Sequence, residues 1–247
     1  AYFYSENFML PLSHDEVVHG KGTILNKMWG SYEDKFAQVR NLYAYQFAHP
    51  GKKLNFMGNE LGSFDEWNEN KSIPWELKKF PKHDSVSRLF RDLNLIYQNH
   101  KAMYFEEYNQ AHFQWIMADN AEQSVLVFKR EVPGETMIFV FNMTPRFYSE
   151  YDIGVPYEGE YEEILNTDKD VYGGWNQYNG ANLFTHGSGL QNQPYRITIK
   201  LASFAGIFLR YIPKIKEEEK PVIEQKAEPI KQASAKKTTT RKRASKK

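Results

Sequence analysis

Residues 8–20 read FMLPLSHDEVVHG, and the break after Leu12 decides the fold. An apolar run, FMLPL, stops at Ser13-His14-Asp15-Glu16. A parallel strand buried on both faces reads as an uninterrupted apolar stretch, and here polar residues follow at its C-terminal end. Gly20, Gly22 and Gly30 then punctuate a loop. From Glu33 to His49, Phe36, Val39, Tyr43 and Phe47 follow helical spacing, and Pro50-Gly51 ends the helix. KLNFMG at 53–58 predicts a second short buried strand, followed at once by Asn59-Glu60. Beyond an aromatic and acidic loop, FDEWNENKSIPWE, Asp84 or Ser85 is placed to cap another helix. Its apolar face comprises Val86, Leu89, Phe90, Leu93, Ile96 and Tyr97. Strand–loop–helix, twice over, is parallel α/β architecture.

The pattern changes after about residue 105. FQWIMA, SVLVFKR, TMIFVFNM, YSEYDI, YEEIL, RITIK and FAGIFLRY are strand-like runs separated by turn signals such as Asp119-Asn120 and Pro133-Gly134. Short strands at this spacing predict an antiparallel sandwich or barrel. YGGWNQYNG is too rich in Gly and Asn for a regular element and reads as a long loop. From Pro213 onward Lys, Glu, Ala, Thr and Pro dominate. Such a segment buries too little apolar surface to offset ordering entropy and is expected to be disordered.

The 247 residues suffice for one large domain or two moderate ones. No cysteine is present, which excludes a disulfide framework and a thiolate nucleophile and fits a reducing cytoplasm. No stretch approaches the roughly 18–20 apolar residues of a membrane span, and no signal-peptide pattern opens the chain. Beginning on Ala1, directly within an aromatic segment, reads as a cut edge. The net charge of +1 conceals a division. Residues 213–247 carry 12 Lys and Arg against 5 acidic residues, whereas residues 1–212 carry 20 against 26. A basic tail attracts polyanions by charge alone; as a solvated low-complexity segment it implies no nucleic-acid partner. The 15% aromatic content suits stacking on sugar rings as well as Tyr- and Phe-rich β-structure.

In a (β/α)8 barrel, reactive side chains sit at the C-terminal ends of strands, which is where His14 and Asp15 fall. A carboxylate there can stabilise an oxocarbenium-like transition state, and an imidazole can hydrogen-bond sugar hydroxyls. The same two residues also suit a simple strand-end hydrogen-bonded pair. HDEVVH is not the HExxH zinc pattern, because Asp follows His14 and the second His lies five residues on, so no metal is expected.

Three blocks carry a family resemblance. SHDEVVHGKGTILNKMWG resembles the segment of the α-glucan branching enzymes that holds the fourth shared motif of the α-amylase superfamily (GH13). LNFMGNELGSFDEWNENKSIPWE resembles the stretch around their eighth barrel strand. MIFVFNMTPRFYSEYDIGVPYEGEYEEILNTDKDVYGGWN is similar to their C-terminal β-domain. The blocks keep the family's order over roughly residues 5–211.

The resemblance implies residues 1–105 as the last βα units of a (β/α)8 TIM barrel and 106–212 as an antiparallel β-sandwich, which leaves 213–247 as the tail whose composition predicts disorder. It implies Asp15 as the transition-state stabiliser and His14 as a ligand of substrate hydroxyls. Glu60 would lie near the pocket or hold a loop. Trp67 and Trp75 would stack on glucose or pack on the barrel rim, and Lys21 would orient the loop or touch glucan. The implied reaction cleaves an α-1,4 bond and transfers the chain to a 6-hydroxyl, without a cofactor, on α-1,4-glucan or glycogen in the cytoplasm. A related hydrolase, or a non-catalytic glucan-binding product of a split gene, stays open. Retaining chemistry needs a nucleophile and a separate acid/base about 5 Å apart. The family places both before the HD motif, so neither is expected in this chain, which alone is expected to be inactive. No oligomeric state is legible.

Overall fold

In a computed structural model of the chain, residues 9–214 are described, apart from the Leu10 side chain; the expected disordered tail lies outside them beyond Lys214. Strand β1 (Met9–Leu12) and strand β2 (Lys52–Asn55) pair in parallel, Met9 opposite Lys52 and Leu12 opposite Asn55. Helix α1 (Tyr32–Ala48) makes the crossover between them. Its first turn is fixed by a capping box. Asp34 N–H donates to the Ser31 hydroxyl, and Ser31 N–H donates to the Asp34 carboxylate at 3.0 Å. The spaced residues Phe36, Val39, Tyr43 and Phe47 are all buried.

Helix α2 (Pro81–Asn99) begins earlier than expected, with its N-cap at Phe80 rather than at Asp84 or Ser85. Pro81 occupies the first turn, where its missing N–H costs nothing, and the Asp84 N–H donates to the Phe80 carbonyl. Asp84 instead pairs with Arg88 one turn on, and Ser85 Oγ donates back to the Pro81 carbonyl at 2.6 Å. A single turn, α3 (Lys101–Tyr104), ends the helical part.

Eight further strands follow. These are β3 (Phe113–Met117), β4 (Val125–Val132), β5 (Glu135–Asn142), β6 (Tyr148–Val155), β7 (Glu160–Asn166), β8 (Leu183–Phe184), β9 (Tyr195–Leu201) and β10 (Gly206–Ile212). Six form one antiparallel sheet in the order β3-β4-β5-β10-β7-β8, and β6 pairs with β9 in a second. The YGGWNQYNG segment runs as a loop after a short 3-10 turn, as its composition requires.

The large sheet is apolar on both faces. Ile138, Val140, Ile207 and Leu209 pack toward Ile153, Val155, Ile197 and Ile199 of the small sheet, forming the sandwich core. Met137, Phe139, Phe141 and Phe208 face the opposite way and share a second core with Phe36, Val39 and Tyr43 of α1 and Leu89 of α2. Strand β5 therefore reads as a nearly unbroken apolar run because each face meets a packed layer. Gly206 lets helix and sheet approach: a Cβ there would lie 2.9 Å from the Phe141 ring and 3.2 Å from Ala44 Cβ. The change from parallel α/β to antiparallel β falls between α3 and β3, within one shared core.

The expectation that β1 and β2 are buried needs correction. Met9 and Leu54 are 47% and 36% exposed, and β2 ends at Asn55 rather than at Gly58. Among the described residues these two strands pair only with each other, so no further strand covers their edges. Among the same residues, no helix is long and apolar enough to cross a membrane.

Candidate functional site

One turn of 3-10 helix, His14–Glu16, follows β1 directly. Ser13 caps it: the Asp15 N–H donates to Ser13 Oγ at 3.2 Å, while Ser13 N–H and Oγ–H donate to Glu16 Oε2 at 2.6 and 2.8 Å. Glu16 is thereby committed to the cap. His14 and Asp15 are turned outward, with side chains 56% and 69% exposed, and His14 Nε2 lies 3.3 Å from Asp15 Oδ1. The imidazole sits 5.9 Å from the Phe56 ring, which meets Trp67 edge-on at 5.2 Å. A carboxylate presented this way is open to a substrate approaching the strand ends.

The loop beyond the turn has few intrinsic constraints, and His19, Gly20 and Gly22 all adopt left-handed φ angles. It is held from two sides. Glu66 accepts from Gly20 N–H at 3.1 Å through Oε2 and from Gly22 N–H at 2.6 Å through Oε1. Those amides, Gly22 first, hold the Glu66 carboxyl below the usual carboxylate range. Lys27 gathers carbonyls on the other side, donating to Lys21 O at 3.0 Å and Gly22 O at 3.1 Å as well as to Glu16 O. Trp67 N–H closes the arrangement by donating to the Val17 carbonyl at 3.1 Å. Lys21 reaches back from this loop, and its Nζ donates to the Asp15 carbonyl at 2.8 Å.

Glu60 lies on the turn Asn59–Leu61 after β2, between left-handed Gly58 and Gly62. It is half-buried, and its carbonyl accepts from Ser87 Oγ at 3.1 Å. Beneath it, Tyr43 donates from its hydroxyl to the Asn59 carbonyl at 3.0 Å. Burial, with the Glu60 charge adding to it, raises the Tyr43 pKa and keeps that hydroxyl protonated. Asn59 ties the two strand ends together by donating from Nδ2 to the Leu12 carbonyl at 3.3 Å.

His14, Asp15 and Lys21 are thus assembled together, with Trp67 behind them. Trp67 is half-buried and packs on the core, whereas Trp75 opens a separate 3-10 turn and is 57% exposed. A cavity of about 270 Å³ lies between the two loops, lined by Val17, Thr23, Tyr43, Asn59, Glu66 and Trp67. Asp15, His14, Lys21 and Glu60 are not in its lining. Sequence reasoning missed Glu66, Lys27, Asn59 and Tyr43. Glu66 left a trace as one acid in the FDEWNE stretch, Asn59 as the neighbour of Glu60 and Tyr43 as a member of the helical spacing; all four side chains bond backbone atoms, which carry no motif.

Residues 115–212 match the family described as alpha amylase, C-terminal all-beta domain. The chain is 47% identical over 229 residues to the 1,4-alpha-glucan branching enzyme GlgB 1 of Clostridium perfringens (strain 13 / Type A), covering 91% of this chain and 34% of that protein. It is 42% identical over 215 residues to the 1,4-alpha-glucan branching enzyme GlgB of Bacillus subtilis (strain 168), covering 86% and 34%. The chain spans about a third of the length of these curated relatives. A solved structure of an AmyP variant in complex with maltotriose superposes with a TM-score of 0.53 at 13% identity, over 73% of this chain and 36% of that one, a likeness of fold alone. Residues 115–212 thus resemble the α-amylase C-terminal all-β domain, and the chain is similar to about a third of the length of the branching enzymes.

Proposed function

We propose that this chain forms part of a 1,4-α-glucan branching enzyme in which β1-α1-β2-α2 are the last two units of a (β/α)8 barrel and residues 106–212 the β-domain behind it. One observation carries the reading. Asp15 stands on a capped turn at the C-terminal end of a parallel strand, outward-facing beside His14, within a chain 47% identical to such enzymes. Active groups of barrel enzymes sit at that end of the strands.

The reaction is a double displacement at one anomeric carbon. A nucleophilic carboxylate attacks C1 while an acid protonates the departing 4-oxygen; then a glucan 6-hydroxyl, deprotonated by the same acid/base, displaces the carboxylate and forms the α-1,6 bond. The nucleophile and acid/base belong to barrel segments outside this chain. Positive charge builds at C1 in both steps, and the Asp15 carboxylate stabilises it without attacking. His14 hydrogen-bonds hydroxyls of the same sugar. Glu60, Lys21, Trp67 and Trp75 are the further candidates for glucan contact. The chemistry calls on α-glucan alone, which fits a cytoplasmic storage polymer.

The test uses the whole protein containing this chain, incubated with amylose. Falling iodine absorbance together with new α-1,6 linkages supports branching. Reducing ends without new α-1,6 bonds identify a hydrolase instead, and no turnover points to a glucan-binding protein.

A further inference from the structure

The geometry points to Glu66 as a positioning residue for Asp15, acting through Lys21. The inference rests on the functional reading above and adds a residue to it. Glu66 takes the N–H groups of Gly20 and Gly22, the two residues flanking Lys21, one on each carboxylate oxygen. That bracket fixes the direction in which Lys21 leaves the backbone, and Lys21 Nζ ends 2.8 Å from the Asp15 carbonyl. The following amide, Trp67 N–H, holds Val17 O at 3.1 Å, next to the turn that carries Asp15.

Three features make the bracket more than a loop contact. Gly20 and Gly22 have φ angles of 76° and 73°, a conformation glycine leaves readily, so the loop depends on outside partners to keep it. Both carboxylate oxygens are used, so an amide side chain keeps at most one of the two bonds. Lys27 satisfies the carbonyls of Lys21 and Gly22 from the other side, leaving the amides to Glu66. Through Lys21, Glu66 therefore holds the backbone turn that presents the Asp15 carboxylate. A displacement of about 1 Å at a reacting group costs up to roughly a hundredfold in rate.

The test has two arms. In the 247-residue chain, hydrogen exchange is compared for wild type, Glu66→Gln and the neighbouring Glu69→Gln. Faster exchange at Gly20 and Gly22 in Glu66→Gln alone is expected, with β4 and β5 unchanged. In the whole protein acting on amylose, Glu66→Gln is expected to lower kcat roughly 10- to 100-fold with KM unchanged. Lys21→Met should produce a similar loss, and the double variant should be no slower than the worse single. Unchanged exchange at the two glycines overturns the bracket. Altered exchange with full kcat, or losses that multiply in the double variant, overturns the route through Lys21. No turnover in wild type sinks the functional reading and the catalytic consequence with it, while the exchange arm still decides whether Glu66 holds the loop.

Discussion

Arg40 and Asp168 lie 4.0 Å apart with side chains 2% and 1% exposed, joining the crossover helix to the loop after β7. Arg40 Nε also donates to the Thr167 carbonyl at 2.9 Å, and Asp168 accepts from the Trp175 and Gln177 amides at 3.1 and 3.0 Å. Burial pushes the Arg40 guanidinium down to about 10 and the Asp168 carboxyl up, and their mutual attraction offsets part of each shift. Nearby, Tyr172 donates to Asp92 of α2 at 2.8 Å and Lys82 to the Gly173 carbonyl at 2.6 Å. Residues 165–174 are therefore a clamp between the helical part and the β-sandwich.

Removing one partner leaves the other charge buried without compensation. Arg40→Met should destabilise the fold by about 3–5 kcal/mol, and Arg40→Met with Asp168→Asn should recover part of that loss. Chemical denaturation across the double-mutant cycle measures both; a double variant no better than Arg40→Met would show that the pair is not coupled.

Gly206 faces Phe141 and Ala44 across the helix–sheet contact. Gly206→Val adds bulk where even a Cβ would lie 2.9 Å from the Phe141 ring, and should cost about 1–3 kcal/mol. Phe141→Ala at the same contact should cost about 3–5 kcal/mol. For the same reason, residues 1–100 alone lose the sheet face that covers α1 and should show no sharp calorimetric transition. A cooperative peak from that segment would contradict the shared core.

Asp15→Asn in the whole protein should leave the fold intact, because the side chain is largely exposed. Turnover should fall by at least about 10²–10³-fold through lost charge stabilisation. Near-normal production of α-1,6 bonds would remove Asp15 from the catalytic set.

Glu66 sets a pH dependence for its loop. Its carboxyl is held below the ordinary 4.5 by the Gly22 and Gly20 amides. Its contribution is therefore fully present above that value and is lost as pH falls through the lower, folded-state value. His19 and Lys27 are the basic side chains facing it and act in the same direction. Exchange at Gly20 and Gly22 should be slow at neutral pH and accelerate, beyond the intrinsic pH effect, only in acid. Glu66→Gln should abolish that added step.

Much of the architecture was legible from spacing. The run FMLPL, the Phe36-Val39-Tyr43-Phe47 period and the strand-like runs after 105 each depend on residues within a few positions of one another. The start of α2 was misplaced because proline at the first helical position competed with a better-looking cap at Asp84. Buried β1 and β2 were expected from composition, but burial depends on which neighbouring strands are present.

The amino-acid sequence by itself determined the order of elements, the antiparallel character of residues 113–212 and the place of His14-Asp15 at a strand end. Those follow from apolar period and turn chemistry, which act locally along the backbone. Only the tertiary structure decided that β5 is covered on both faces, that Arg40 meets Asp168, and that Glu66 reaches Gly20 and Gly22. The last two bonds span 46 and 44 residues. Such contacts use backbone amides that every non-proline residue carries, so no residue identity announces them until the chain has closed.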